Sequence, residues 1–470
     1  MISEEIKQQL RSIVGPDHLL DSDIDRFGYS YDSSFVPFAE ANKPDVIVRP
    51  ADTAQVSAIM KLANHHAIPV TARGTASGRT GGSIPIAGGI ALSLTRMDKI
   101  IELDERNMMV TVGPGMRTMD LYNHCAEKGL FYPPDPASWK YSTIGGNIAE
   151  NAGGMRAVKY GVTSNYVMGL EVVLADGSVI RTGGKAIKNV TGYNLTQLFV
   201  GSEGTLGIVT EILLKLIPMP KARNTMQLMF PDMEQACGTI HSMLQSGIVP
   251  AAAEIMDQTS FQAVARHRKL DINPAIQACV IIEIDGDSQD ALQRQAARIE
   301  ATARRHNAIE IRTAASQAES DDIWAIRRGL SSAVGGMAPN RFGEDISVPR
   351  DAFPQVVRRI REISEKYGFT IAVYGHAGDG NLHPSVLCDM ANPEHAAKVH
   401  HAIEEIFDAA LAVGGTLSGE HGIGITKRPY TAKALGAASI QAHKAIKQAL
   451  DPKGILNPGK IWEHDAREGQ

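Results

Sequence analysis

The chain holds 470 residues, with 47 Lys and Arg against 52 Asp and Glu for a formal net charge of −5. Apolar residues make up 43% and charged residues 21%, which supports a deep core and excludes a disordered or fibrous chain. The mildly acidic balance argues against nucleic acid as a partner, and no run of about 18 apolar residues marks a transmembrane helix. Glu4 and Glu5 stand where a signal peptide carries positive charge, so the expected location is cytoplasmic. Cys125, Cys237, Cys279 and Cys388 lie far apart with no CxxC pair. That argues against a cysteine-held iron–sulfur cluster and a disulfide framework, and reads as four small buried hydrophobes in a reducing compartment.

In chain order, Pro44–Pro50 reads as a short buried strand closed by proline. Asp52 and Thr53 supply a helix cap, and Val56, Ile59, Met60 and Ala63 fall on one helical face. Ile68–Ala72, Ile90–Leu94 and Met108–Val112 are further strands, and Thr118–Lys128 is a helix stopped by Gly129. Leu170–Ala175 and Ser178–Thr182 flank Asp176-Gly177, a two-residue hairpin signal. Ile208–Ile217 closes this block, and Pro218 and Pro220 mark a boundary. Asn224 to Val413 alternates strand and helix, as in Val280–Ile284 followed by Ala291–His306. This is an α+β layer with helices on one face of an antiparallel sheet. A helix over Ala432–Leu450, weak at Gly436, precedes the loop Asn457-Pro458-Gly459-Lys460. The expected domains are 1–220, 221–413 and a helical segment 414–470 that packs back on the first.

Three glycine-dense loops follow predicted strands. Arg73-Gly74-Thr75-Ala76-Ser77-Gly78-Arg79-Thr80-Gly81-Gly82 lets backbone N–H groups converge on an anion. It leads into Ser83-Ile84-Pro85, a poor helix start, so it is not a Rossmann loop, and it lacks the Gly-Lys-Ser/Thr ending of a Walker loop. The second run spans Pro133–Pro136, Ser142–Asn147 and Asn151–Gly154, and the third is Phe199–Gly207. Together they suggest one extended dinucleotide threaded through backbone.

Two histidine motifs carry the remaining chemistry. Tyr374–Pro384 (YGHAGDGNLHP) holds His376 and His383, and its three glycines disfavour a helix, so a strand–turn–strand lets both imidazoles converge. Ser418–Gly424 (SGEHGIG) places Glu420 beside His421. Any one of 15 histidines is more often a satisfied core or surface residue than a ligand, but three in glycine-flanked motifs with a glutamate are harder to dismiss. Two imidazoles and a carboxylate suit zinc, manganese or ferrous iron, with His376, His383 and Glu420 as ligands. An anion that chelates that ion through a hydroxyl would have the hydroxyl pKa lowered. His421, left over beside a ligand, suits a general base. Asn381 is a candidate to orient a ligand, and Asp379 is a turn carboxylate or a ligand's partner.

Across Asp45–Lys460 these motifs resemble flavoproteins of the vanillyl-alcohol oxidase and p-cresol methylhydroxylase fold. The branch most similar includes bacterial glycolate oxidase, D-lactate dehydrogenase and D-2-hydroxyglutarate dehydrogenase. The resemblance implies a two-part FAD-binding domain plus a substrate (cap) domain. It also implies a 2-hydroxy acid as the chelating substrate, with His421 taking the hydroxyl proton as the C2 hydride passes to flavin N5, and Asn381 placed to touch the flavin. Expected FAD contacts are Arg73, Gly74, Thr75, Ala76, Ser77, Gly78, Gly81 and Gly82 around the pyrophosphate. Pro134, Asp135, Ser138, Ser142, Thr143, Gly145, Gly146, Asn147, Asn151, Gly153, Gly154, Tyr160 and Gly161 are expected along the rest. So are Glu203, Gly204, Thr205, Gly207, Ile208, Val209 and Asn457. No His or Cys lies between Arg73 and Gly82, so the flavin is expected to be noncovalent. The family's substrate-facing arginine, in a Trp-x-x-Arg context, matches Trp324-Ala325-Ile326-Arg327; Arg341 is a weaker second candidate.

Hydroxyglutarate-specific relatives carry a lysine where this chain has Gly343 and an asparagine where it has Ser385. Both departures favour a short monocarboxylate, D-lactate or glycolate, over D-2-hydroxyglutarate. Other readings are a non-haem iron oxygenase, which leaves the glycine loops purposeless, and a non-redox flavoenzyme resembling alkylglycerone-phosphate synthase. The family's acceptors are an iron–sulfur partner, electron-transferring flavoprotein, cytochrome or quinone, so membrane contact through a partner stays open.

Overall fold

The computed structural model describes residues 2–462. The chain forms two compact units. One comprises the chain up to Gly153, Val162–Met219 and the chain from Glu420 onward; the other comprises Gly154–Gly161 and Pro220–Gly419.

The first unit is built on two sheets. Val46–Val48, Ile90–Ser93 and Val70–Arg73 run parallel, with Leu19–Leu20 antiparallel on the outer edge. Parallel strands are covered on both faces, and Val46–Val48 is buried throughout. The crossover helix Thr53–His65 is capped by the Asp52 carboxylate, which accepts from the Gln55 N–H at 2.9 Å. Its face of Val56, Ile59, Met60 and Ala63 packs on this sheet, as the spacing predicts. The second sheet is antiparallel in the order Ile100–Asp104, Met109–Val112, Ile208–Lys215, Val167–Val173, Val179–Gly183. Asp176-Gly177 makes the expected hairpin turn, with Gly177 at φ +85° and the Leu174 N–H donating to the Ser178 carbonyl at 2.8 Å.

Several boundaries differ from the sequence reading. Thr118 begins a helix that ends at Ala126, not Lys128, because Glu127 and Lys128 already belong to the tightened last turn before Gly129. The strand from Ile208 stops at Lys215, and Ile217–Pro218 pairs instead with Leu130–Phe131. Proline has no N–H to continue a central ladder. An unforeseen helix, Glu4–Val14, is capped by Ser3 and buries Leu10 and Val14. The C-terminal helix Thr431–Leu450 does break at Gly436, φ +73°.

The second unit is one mixed α+β layer. Its sheet runs Glu310–Thr313, Ala222–Phe230, Ala278–Gly286, Ala252–Asp257, Thr370–His376, Asn381–Cys388, Asn340–Gly343, all antiparallel; Ile346–Ser347 also pairs with Asn381–Cys388. Alternate residues Ala252, Met256, Cys279, Ile281, Ala372, Tyr374 and Leu387 pack on the helices Gln258–Arg268 and Gln317–Gly335. By the strand period of two, Glu254, His376, His383 and Ser385 share that helix-covered face. All four cysteines are free and buried, and burial pushes the Cys125, Cys237 and Cys279 thiols up to about 12.

Candidate functional site

In the first unit the three glycine loops converge. The Thr75 hydroxyl donates to the Tyr141 carbonyl at 2.7 Å, and a Cβ on Gly74 would run into Thr143. Thr143 caps the short helix Ile144–Glu150, where Gly145 lies so close to Pro114 that a Cβ would sit 2.7 Å from its side chain. The N–H groups of Gly201 and Glu203 donate to Ile148 and Ala149, both at 2.8 Å, joining the third loop to that helix. Asn457 ties first and third loops together, its Nδ2 donating to the carbonyls of Gly82 at 2.9 Å and Glu203 at 2.7 Å. Its Oδ1 is buried without a hydrogen-bond partner, an acceptor left over in the middle of this backbone cradle.

The chain from Glu420 onward threads the same loops. The Thr80 hydroxyl donates to the His421 carbonyl at 3.2 Å, and the Ile425 N–H donates to the Thr80 carbonyl at 2.7 Å. The Ile423 and Gly424 N–H groups each donate to the Glu203 carboxylate at 2.7 Å. Glu420 lies against Gly153, where an added Cβ would be 3.1 Å from the glutamate side chain. Gly424 has φ +52°, and a Cβ there would be driven into the Thr80 carbonyl. Gly424→Ala is therefore expected to lift this segment from the first loop and weaken FAD retention at least about tenfold, roughly 1.4 kcal/mol. Flavin fluorescence during dilution measures it.

Several residues expected at the FAD have partners of their own within the protein. Arg73 donates from Nη1 to the Tyr29 carbonyl at 2.9 Å and stacks on the Tyr29 ring. Ser142 and Asn147 are buried around the Thr118 hydroxyl at 2.9 and 2.8 Å. The Asn151 side chain accepts from the Ser164 N–H, Gly207 packs against Val172, and Ile208 is core. Glu203 lends its carboxylate to the C-terminal segment; burial raises its pKa against the pull of those two N–H groups. Gly154, Tyr160 and Gly161 belong to the other unit, where the Tyr160 hydroxyl donates to Asp285 at 2.7 Å and Lys159 pairs with the same carboxylate.

In the second unit His376 ends one strand and His383 lies in the next, the strand–turn–strand the glycines predicted. Register places His376 opposite Asn381 and Tyr374 opposite His383, so the two imidazoles meet diagonally. Their Nε2 atoms are 3.4 Å apart, and both residues are buried. The other nitrogen of His376, Nδ1, is 2.6 Å from Oε1 of Glu254, a carboxylate with no exposed surface. An ionised Glu254 can only accept, so His376 Nδ1 carries a proton, and Nε2 is the ring nitrogen that faces His383. Arg327 donates from Nε to Glu254 Oε2 at 2.5 Å, with its guanidinium over the Tyr374 ring. Burial alone would raise the Glu254 pKa, but His376 and Arg327 hold it below the ordinary carboxylate value.

Asn381 donates from Nδ2 to Asp345 at 2.6 Å and to the Ile346 carbonyl at 2.9 Å. Asp345 also accepts from the Ser418 hydroxyl at 2.7 Å and the Gly419 N–H at 3.0 Å, fixing the chain that leads into Glu420. Asp379 accepts from the Asn381 N–H, as a turn carboxylate does. Arg341 donates to the Ser331 carbonyl at 2.6 Å. Gly343 and Ser385 are direct cross-strand partners, and the buried Ser385 hydroxyl has no hydrogen-bond partner. Glu254 is the residue the sequence reading missed; its signal is a lone carboxylate inside the apolar run Val249–Met256.

Residues 44–183 match the family model described as "FAD binding domain", and 219–461 match "FAD linked oxidases, C-terminal domain". The chain is 42% identical over 468 residues to the glycolate oxidase protein GlcD of Bacillus subtilis, covering 100% of this chain and 99% of that protein. The chain belongs to the FAD-linked oxidases. It is also 35% identical to D-lactate dehydrogenase of Anaerostipes hadrus, covering 89% and 90% of the two chains. The structure of p-cresol methylhydroxylase with substrate bound superposes with a TM-score of 0.79 at 21% identity, covering 97% of this chain and 96% of that one. That likeness establishes the fold expected from the motifs. This FAD-linked oxidase is thus an oxidoreductase, and among its described residues no helix is long and apolar enough to cross a membrane.

Proposed function

We propose that the protein oxidises a small D-2-hydroxy acid, with D-lactate or glycolate favoured, to the 2-oxo acid, using noncovalent FAD and one divalent cation. The carrying observation is the buried histidine pair joined through Glu254 to an arginine that, among the described residues, hydrogen-bonds through Nε. Two nitrogens bound to one tetrahedral zinc at about 2.0–2.1 Å stand roughly 3.3–3.4 Å apart, which suits the pair as found. His376 and His383 would hold the cation, with Glu420 as third ligand, one residue beyond the anchored Gly419. Such a cation supplies Lewis acidity that lowers the pKa of the substrate hydroxyl. Bound in the glycine cradle, FAD supplies the two-electron acceptor for the C2 hydride.

The protein's own groups divide the rest of the work. The Nη groups of Arg327 would take the substrate carboxylate as a fork, while Nε stays on Glu254. His421 would accept the hydroxyl proton. Asn381 would hold Asp345, and through it the chain entering Glu420, rather than touch substrate. Gly343 and Ser385 themselves offer one small hydroxyl and no charge, and the neighbouring Arg341 is engaged by Ser331, so a second carboxylate would find no ready charged partner there. The relatives named for glycolate and D-lactate agree with that preference. Electrons would leave to a separate redox partner.

Anaerobic titration with D-lactate, glycolate and D-2-hydroxyglutarate, following flavin absorbance, tests the reading. Bleaching by the monocarboxylates, with kcat/KM at least about tenfold above that for hydroxyglutarate, is expected, as is loss of bleaching after chelation. A flavin that stays oxidised with every hydroxy acid would refute it.

A further inference from the structure

We infer that Glu254 is a positioning residue that holds the first metal ligand and the substrate arginine in one fixed arrangement. This rests on the proposed roles of His376 and Arg327. The strand Ala252–Asp257 is buried along its length, and an unpaired carboxylate there would be untenable. Glu254 escapes that by being shared: Oε1 faces His376 Nδ1 at 2.6 Å and Oε2 faces Arg327 Nε at 2.5 Å. Sheet register fixes the first contact, because Glu254 and His376 are direct cross-strand partners. Helix packing fixes the second, since Arg327 projects from Gln317–Gly335 onto the same face.

The arrangement has two effects. Holding the proton on His376 Nδ1 keeps Nε2 as the lone-pair nitrogen, the tautomer a cation needs, and makes it more basic. Holding Arg327 by Nε orients the plane of its guanidinium, so its Nη edge points one way without the entropy cost of a free side chain. One carboxylate therefore aligns cation and anion sites, which a hydroxy acid must bridge.

The test uses FAD-loaded protein stripped of metal, titrated with zinc chloride against a chromophoric chelator, with D-lactate kinetics measured in parallel. Glu254→Gln is expected to weaken zinc 10- to 100-fold and to raise KM for D-lactate. Glu254→Asp, which keeps the charge, is expected to lose less zinc affinity than Glu254→Gln. His376→Ala is the control and should remove the site. Unchanged zinc affinity in Glu254→Gln, with His376→Ala impaired, would overturn the positioning role alone. Zinc affinity insensitive to His376→Ala would overturn the metal reading and this role with it. Should Glu254→Gln fail to fold, Glu254→Asp decides: a loss of zinc affinity with a raised KM supports the charge-sharing role, and zinc affinity and KM both at wild-type values refute it.

Discussion

His421→Ala is expected to lower the rate of anaerobic flavin reduction by D-lactate roughly 10²- to 10⁴-fold while leaving FAD content unchanged. The separation of effects follows from how the segment is held. The contact between His421 and the first glycine loop is made by its backbone carbonyl, which accepts from the Thr80 hydroxyl, and alanine keeps that carbonyl. The neighbouring anchors, Ile423 and Gly424 on Glu203, are also backbone groups. Only the imidazole is lost. Stopped-flow reduction and the flavin absorbance of the purified variant measure both; a variant that bleaches at the wild-type rate would remove His421 from the chemistry.

Arg327→Ala is expected to damage stability and substrate binding together. Glu254 has no exposed surface, and removing its guanidinium partner leaves a buried carboxylate with His376 alone. Breaking one side of a buried pair costs about 3–5 kcal/mol. For a unit of this size that is a drop of roughly 6–20 °C in Tm. KM for D-lactate should rise more than kcat falls, because the fork would bind the carboxylate in ground and transition states alike. Arg327→Lys should restore part of the stability but little of the KM, since an ammonium lacks the planar fork that keeps Nε on Glu254 while two Nη groups face the substrate carboxylate. Differential scanning calorimetry and steady-state kinetics report the two arms. Wild-type KM in Arg327→Ala would end the assignment.

What could be read in advance was local chemistry. Asp52 as a cap, Asp176-Gly177 as a hairpin and the glycine break before His383 each depend on a few adjacent residues, and each is found. The convergence of three glycine loops was inferable because glycine density has few other physical reasons. Glu254 was hidden because its partners are remote: His376 lies 122 residues away and Arg327 lies 73 away. No periodicity in Val249–Met256 announces that pairing; it exists only once the sheet order does. Likewise, Gly154–Gly161 looked continuous with the glycine run before it. Only the Lys159 and Tyr160 contacts to Asp285 reveal that it belongs to the second unit. The helix Glu4–Val14 is a different case, legible in the sequence itself: Ser3 caps it, and Ile6, Leu10, Ile13 and Val14 fall on the one face that packs on the first unit's core.

The late return of the chain has a consequence for how this protein is made. Val70 bonds to Ile455 and Asn457, and the Asn457 amide reaches the Gly82 carbonyl 375 residues away. At about 5–20 residues per second, a ribosome needs roughly 20–75 s between those two stretches. The Pro220–Gly419 sheet is fully synthesised inside that interval, so the nascent flavin cradle waits, incomplete, for the last part of the message. Truncated transcripts would therefore yield a chain without the Ile455–Asn457 stretch that closes the flavin cradle.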